Sequence, residues 1–366
     1  MAPILMNRKC PDAAGAWKVS DLASPDDYSF HLEPAQIEDI DDAVRVIREK
    51  GIGLDDVGRA DFELSSLAGA LTGILDEVRS HRGFLLLRGL PADRYTKDEL
   101  GMICWGIGTH FGAGVAQNTL GDRLGHILDA SKVEPGAFSY RNSQEITPHT
   151  DFADFAALMC LRRSKSGGES MITSALSVHD RILESRPEHM EVLYRGYHWN
   201  RRPDEKPGDL PYTPRRVPVF SFINDQLSCR YIRFRIEAGA RAAGTPLTPL
   251  DTAALDYLEK VARDPELCLR FYLVPGDILF LNNYTTMHAR TAFVDDDEPD
   301  RKRHLLRMWL MVPGFRQIAP DIVWTLQACR GPAGSAVARS AARGNDGADD
   351  DPDRQRALVM ERSRAD

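Results

Sequence analysis

Short apolar runs of strand length lie scattered along the chain, with helical patterns before, between and after them. That order, without internal repeats, predicts an α+β domain whose helices surround a β-barrel or sandwich. The 366 residues, 43% of them hydrophobic, suffice for a sizeable core in one large domain or two small ones.

Ile37, Ile40, Val44 and Ile47 share one helical face, and Leu64 to Val78 reads as a second helix ending before His81-Arg82-Gly83. Residues 1–80 therefore form an N-terminal helical segment packed on the core. Phe84 to Leu90 is a short buried strand. Thr96-Lys-Asp-Glu99 has the form of a capping box and opens a helix to about Gly106. From Gly112 to Asp151 the chain is rich in Gly, Asn and Asp, the composition of loops and short strands that line a site. Phe155 to Leu161 is an apolar run between turn signals, closed by Ser166-Gly-Gly168. A helix pair follows, broken at Pro187, and residues 196–248 hold strand pieces such as Val217 to Phe222 among prolines. Thr248-Pro-Leu-Asp251 caps a helix carrying Leu250, Ala254, Leu258 and Val261 on one stripe. Phe271 to Val274, the Pro275-Gly-Asp277 turn and Ile278 to Leu281 read as a hairpin. Arg303 to Val312 is a strand. Residues 331–366 hold almost no large apolar side chain and read as a disordered tail, with a short helix near Gln355 to Arg362.

A net charge of −8 argues against nucleic acid or an anionic membrane as the main partner. No apolar run approaches the length of a transmembrane helix, and the first ten residues lack a signal peptide's apolar core. Six cysteines (Cys10, Cys104, Cys160, Cys229, Cys268, Cys329) are scattered without a C-x-x-C pair, which suits reduced thiols in the cytoplasm. The expected partner is a small molecule, and the reading allows a homo-oligomer.

His149-Thr-Asp151 is the chemistry-bearing motif. Two imidazoles and a carboxylate suit redox-active Fe(II) and leave half an octahedron open. On a strand, residues i and i+2 share a face, so His149 and Asp151 would grip one ion while Thr150 points away. With 10 histidines and 54 acidic residues, roughly one or two His-x-acid triplets are expected by chance. There are three: His31-Leu-Glu33, His189-Met-Glu191 and His149-Thr-Asp151. His189 and Glu191 lie in a helical stretch, where i and i+2 diverge by about 200°. His31 precedes Pro34 and a helical run, which leaves His149 at the head of a strand-like segment. His288, after Asn282-Asn-Tyr-Thr-Thr-Met287, is the candidate third ligand. Alternation along the strand puts Arg303, Leu305, Arg307 and Trp309 on one face. A guanidinium buried there needs an anion beside it: either a structural salt bridge or the far carboxylate of a dicarboxylate cosubstrate.

His149-Thr-Asp151, Gly167-Gly-Glu-Ser170, Pro275-Gly-Asp277, Asn282 to Phe293 and Arg303-His-Leu-Leu-Arg-Met-Trp-Leu310 together resemble the TauD/TfdA family, across roughly residues 80–315. These are Fe(II)- and 2-oxoglutarate-dependent dioxygenases of the clavaminate-synthase-like group. The resemblance implies a double-stranded β-helix (jelly-roll) core with flanking helices, filling residues 81–315 with helical insertions. It implies His149, Asp151 and His288 as iron ligands, Arg303 and Ser170 on 2-oxoglutarate, and Arg307 at a substrate carboxylate or sulfonate. O2 is the second cosubstrate, and 2-oxoglutarate leaves as succinate and CO2 while a substrate C–H is oxidised. An acidic residue at 151 favours hydroxylation, because related halogenases have Gly or Ala there. Desaturation and cyclisation share its first step. Gln117, Asn118, Tyr140, Ser143 and Glu145 are candidate pocket residues. If Arg307 and Glu145 both face the pocket, an amino-acid-like zwitterion would complement them; an Arg307 already paired with a protein carboxylate withdraws that reading. Two rival readings are a cupin-like metal site without 2-oxoglutarate, against which Arg303 and Ser170 speak, and a catalytically silent jelly-roll binding module.

Overall fold

A computed structural model describes residues 8–118, 121–131, 141–201 and 210–322. The predicted tail and Tyr140 lie outside the described residues. In chain order the elements are β1 (Ser29–His31), α1 (Pro34–Lys50), α2 (Ala68–Ser80), β2 (Phe84–Arg88), α3 (Lys97–Thr109), β3 (Ala113–Gly114), β4 (Leu124–Ile127), β5 (Ile146–His149), β6 (Phe155–Arg162), β7 (Ser166–Gly167) and β8 (Ser170–Ser174). The second half adds α4 (Ala175–Ser185), α5 (Met190–Arg195), β9 (Phe220–Ile223), β10 (Gln226–Cys229), α6 (Arg233–Ala242), α7 (Pro249–Ala262), β11 (Cys268–Phe271), β12 (Ile278–Asn282), β13 (Thr286–Arg290), β14 (Phe293–Val294) and β15 (His304–Met311).

The helix starts follow their capping chemistry. Thr96 accepts the backbone N–H of Glu99 at 3.2 Å and Glu99 returns the bond, as the motif predicts. Thr248 and Asp251 do the same for α7. α2 begins later than its apolar pattern, because Leu64 and Leu67 are buried in the turn before it.

Seven strands make one sheet, ordered β1-β2-β12-β6-β15-β3 with β4 also on β15; four make a second, ordered β11-β8-β13-β5. The middle strands of the large sheet are covered on both faces. All five residues of β12 are buried, and six of eight in β6. α2 and α3 lie against the large sheet, α4 and α7 against the small one. Between the sheets lies a cavity of about 510 Å³ lined from both sides. Two sheets closed around such a cavity form the expected jelly-roll core within an α+β chain. Among the described residues no helix is long and apolar enough to cross a membrane.

The expected 271–281 hairpin is not formed. β11 pairs with β8 in the small sheet, whereas β12 pairs with β2 and β6 in the large one. β12 is apolar on both faces and is buried in the middle of the large sheet, with β2 on one edge and β6 on the other. The intervening turn instead carries the chain between sheets. Gly276 has φ +92°, and a Cβ there would lie 2.1 Å from the Leu90 carbonyl oxygen. Leu250 also departs from expectation: it is 41% exposed in the first turn of α7, while Ala254, Leu258 and Val261 are buried.

Phe280 on β12 is fully buried, its ring 5.0 Å from Phe111 and 5.6 Å from Phe155. Phe280→Ala is expected to destabilise the fold by about 3–5 kcal/mol in urea unfolding, the cost of a core aromatic deletion; a loss below about 1 kcal/mol would place the core elsewhere.

Candidate metal and cosubstrate site

β5 and β13 run antiparallel, with His149 directly opposite His288. The two imidazole centroids are 4.2 Å apart. Asp151 follows in the turn after β5, its Oδ2 3.6 Å from His288 Nε2. One ligand atom from each of the three residues falls within 4.8 Å of the others, a spacing that could hold a metal ion. Asp151 thus differs from its expected place on a strand, and His149 closes its strand rather than heading it. The intervening Thr150 is fully buried and turned away, its hydroxyl accepting the Tyr231 N–H at 3.1 Å. The rival triplets fail for concrete reasons. His31 also ends a strand, contrary to expectation, but its side chain is 58% exposed, 3.5 Å from Asp26. His189 is buried at the start of α5, with Glu191 exposed.

The donor chemistry fits a divalent metal. Metal-binding histidines must be neutral. Desolvation in the cavity wall holds His149 below its ordinary range, against the pull of Asp151. The same desolvation, with repulsion from His149, brings His288 down to about 3. His149 Nδ1 meets the Thr147 carbonyl at 2.8 Å, which assigns Nε2 to the metal side. Burial alone would raise the Asp151 pKa, but Arg307, both histidines and Trp309 outweigh it and keep the carboxyl below its usual value. Trp309 Nε1 donates to Oδ2 at 2.8 Å and Arg307 Nη1 approaches Oδ1 at 3.4 Å. The Asp151 backbone is held too: its N–H donates to Asn283 Oδ1 at 3.2 Å, and buried Arg230 donates to its carbonyl.

Arg303, just before β15, lies at another part of the same cavity. It is 5% exposed, and Nη1 is buried with no hydrogen-bond partner among the described residues. Burial pushes its guanidinium below the usual range. Asp295 is nearby, but its Oδ1 accepts the Arg303 backbone N–H, at 2.7 Å. Gly168, at φ +71°, leaves room beside the Arg303 side chain, where a Cβ would stand 3.2 Å from Nε. Ser170 lines the cavity on β8. A buried guanidinium without a carboxylate is costly, and an incoming dicarboxylate removes that cost. The residues present therefore fit 2-oxoglutarate as they fit Fe(II).

The remaining candidates are less open than the sequence suggests. Arg307 lines the cavity, yet besides Asp151 it donates Nε to Gln117 Oε1 at 2.7 Å. Its pairing with a protein carboxylate withdraws the Arg307–Glu145 zwitterion clamp. Glu145 also lines the cavity but is tied to Arg263 at 2.8 Å. Asn118 lines it as well, with its amide engaged by Asp122 at 2.7 Å. Ser143 accepts the Phe293 N–H through its carbonyl at 3.0 Å. Sequence reasoning gave no role to Arg290 or Arg235, both buried in the cavity wall. Arg290 lies two residues beyond His288 on β13, and same-face alternation is the signal for it. Desolvation and Arg303 lower its pKa to about 9. Trp309 was placed on the correct face without its role on Asp151.

Residues 48–309 match the family model "Taurine catabolism dioxygenase TauD, TfdA family". The chain is 30% identical over 325 residues to FR-33289 synthase of Streptomyces rubellomurinus, covering 86% of this chain and 95% of that one. A taurine hydroxylase-like protein of Stachybotrys chartarum is 28% identical over 323 residues, covering 82% of this chain and 81% of its own length. Among solved structures, an asparagine oxygenase in complex with Fe(II), 2S,3S-3-hydroxyasparagine and succinate superposes with TM-score 0.62 at 18% identity, over 78% of this chain and 93% of that chain. The non-heme iron oxygenase OrfP, in complex with Fe and alpha-ketoglutaric acid, gives TM-score 0.57 at 16% identity, over 77% of this chain and 94% of that chain.

Trp309→Phe removes the N–H that orients Asp151 while keeping an aromatic ring. Metal affinity, read by anaerobic Fe(II) titration, is expected to fall roughly tenfold to a hundredfold; an unchanged affinity means that the indole does not orient the ligand.

Proposed function

The chain belongs to the TauD/TfdA family of dioxygenases, and from that premise we propose that it hydroxylates an unactivated C–H of a small, amino-acid-like or otherwise carboxylate-bearing molecule. It takes Fe(II), 2-oxoglutarate and O2. When bound, these supply the oxidant for hydrogen removal, with 2-oxoglutarate leaving as succinate and CO2.

One observation carries the reading: a single cavity holds a two-histidine, one-carboxylate cluster and, apart from it, a buried guanidinium whose Nη1 has no hydrogen-bond partner among the described residues. In this reading His149, Asp151 and His288 hold the metal. Arg303, with the Ser170 hydroxyl, takes the far carboxylate of 2-oxoglutarate. Arg307 and Trp309 keep Asp151 ionised and oriented, and the presence of its carboxylate favours hydroxylation over halogenation. Phe152, Ile232 and Leu305 line the cavity between the charged groups and exclude water. Desaturation and cyclisation remain chemical variants of the same first step.

The amino-acid-like class is supported by the relatives' substrates rather than by a ready-made clamp. The asparagine oxygenase holds a hydroxyasparagine, and OrfP has been captured with (3S)-hydroxy-L-Arg. The cavity itself carries Arg235, Arg290, Arg303 and Arg307 against Asp151 and Glu145, a balance that favours an anionic group on the substrate. We also place the enzyme in the cytoplasm, on its widely spaced thiols.

The test is a screen of amino acids and related carboxylic acids that reads substrate-dependent succinate. Asp151→Ala is expected to abolish hydroxylation; full activity in that variant means that Asp151 is not a ligand. Arg303→Ala is expected to raise the 2-oxoglutarate requirement steeply, since a charge-assisted bidentate pair contributes about 2–4 kcal/mol; an unchanged requirement moves that role to another residue.

A further inference from the structure

Arg290 is another of the cavity-wall arginines, and it holds neither the metal cluster nor Asp151. It is the last residue of β13, two positions beyond His288 and therefore on the same face. Two strand residues span about 6.6–6.8 Å along β13. Its cross-strand partner is Ser170. Its guanidinium lies 4.6 Å over the Phe293 ring, and that of Arg303 lies 5.2 Å over the same ring. Nε donates to the Thr291 carbonyl, and Nη2 to the carbonyls of Asn142 and Gln144. Nη1 is buried with no hydrogen-bond partner among the described residues, as is Nη1 of Arg303. Asp129 and Asp295 lie near enough to attract the Arg290 charge, but neither forms an ion pair with it among the described residues.

Two neighbouring buried cations with unused N–H donors repel one another, and one anion between them removes both penalties. We propose that Arg290 and Arg303 form a two-guanidinium clamp on the far carboxylate of 2-oxoglutarate, Arg290 from the small sheet and Arg303 from the segment that leads into β15 of the large one. Arg290 is thus a second determinant of the preference for a dicarboxylate oxo acid over a monocarboxylate one. The inference rests on the reading that this cavity takes 2-oxoglutarate with its far end at Arg303. The competing role is structural: Arg290 would only tether the Asn142–Gln144 segment.

Calorimetric titration of the anaerobic Fe(II)-loaded enzyme with 2-oxoglutarate, and in parallel with 2-oxobutanoate, separates the two roles. Both acids present the same chelating end, but 2-oxobutanoate lacks the far carboxylate. In Arg290→Met, 2-oxoglutarate affinity is expected to fall on the order of tenfold to a hundredfold, while 2-oxobutanoate affinity stays within about twofold. Arg290→Lys, which keeps the charge and loses the fork, is expected to fall between wild type and Arg290→Met. An unchanged affinity for 2-oxoglutarate, or an equal loss for both acids, overturns the clamp. Arg303→Met distinguishes the underlying reading. If Arg303→Met loses the discrimination while both Arg290 variants keep it, Arg290 alone is misassigned. If Arg303→Met keeps it, the cosubstrate site itself is misplaced.

Discussion

A carboxylate taken out of water must be matched by donors and positive charge, and the site is organised around how this chain meets that requirement at Asp151. Its oxygens face the Trp309 indole N–H and the Arg307 guanidinium, both from β15, and its backbone is anchored by Asn283 and Arg230. The turn that carries Asp151 leaves β5 in the small sheet, so these bonds tie the two sheets together at the metal position. His149 and His288 can then face each other across β5 and β13, held neutral by the same desolvation that would penalise an unpaired Asp151.

β15 settles one charge and leaves another open. Arg307 and Trp309 turn inward to complete Asp151, while Arg303, four residues before Arg307 and on the same face, has a buried Nη1 with no hydrogen-bond partner among the described residues. A jelly-roll suits this division, because its two sheets bring separate strands, and the segments that leave them, to one interior. Arg230, 4.3 Å over the Tyr284 ring, and Asp154, accepting the Tyr284 hydroxyl at 2.5 Å, extend the polar support behind the metal turn. The site therefore depends on buried polar groups whose partners come from distant parts of the chain, and such networks lose more than the sum of their parts when one member is removed.

Local patterns made the helix caps, the inward face of β15 and the gathering of His149, Asp151 and His288 legible. Thr96 and Thr248 signal their helices through side chains three residues away, and Arg303, Leu305, Arg307 and Trp309 obey strand alternation. Pairing across sheets was not legible in the same way. The 271–281 segment has the composition of a hairpin, and only the full burial of β12 between β2 and β6 reveals that its flanks part company. Asp151 reads as a strand residue by spacing, but the chain turns directly after His149. His31 shows why spacing alone misleads: it also closes a strand, and exposure rather than secondary structure disqualifies it. Charge pairing was the least visible property. Arg307 reads from the sequence as available for a ligand, whereas Asp151 and Gln117 hold it, and nothing but its spacing from His288 marks Arg290.

If one cavity brings Fe(II) and 2-oxoglutarate together on His149, Asp151 and His288, the two without oxygen should show the weak visible charge-transfer absorption of a 2-oxoglutarate chelate on Fe(II). This band is expected in the wild-type protein, and its loss in a His149→Ala variant that keeps the wild-type fold by circular dichroism. A wild-type protein without the band, or a folded His149→Ala variant that retains it, means that the iron and its cosubstrate do not meet on these residues.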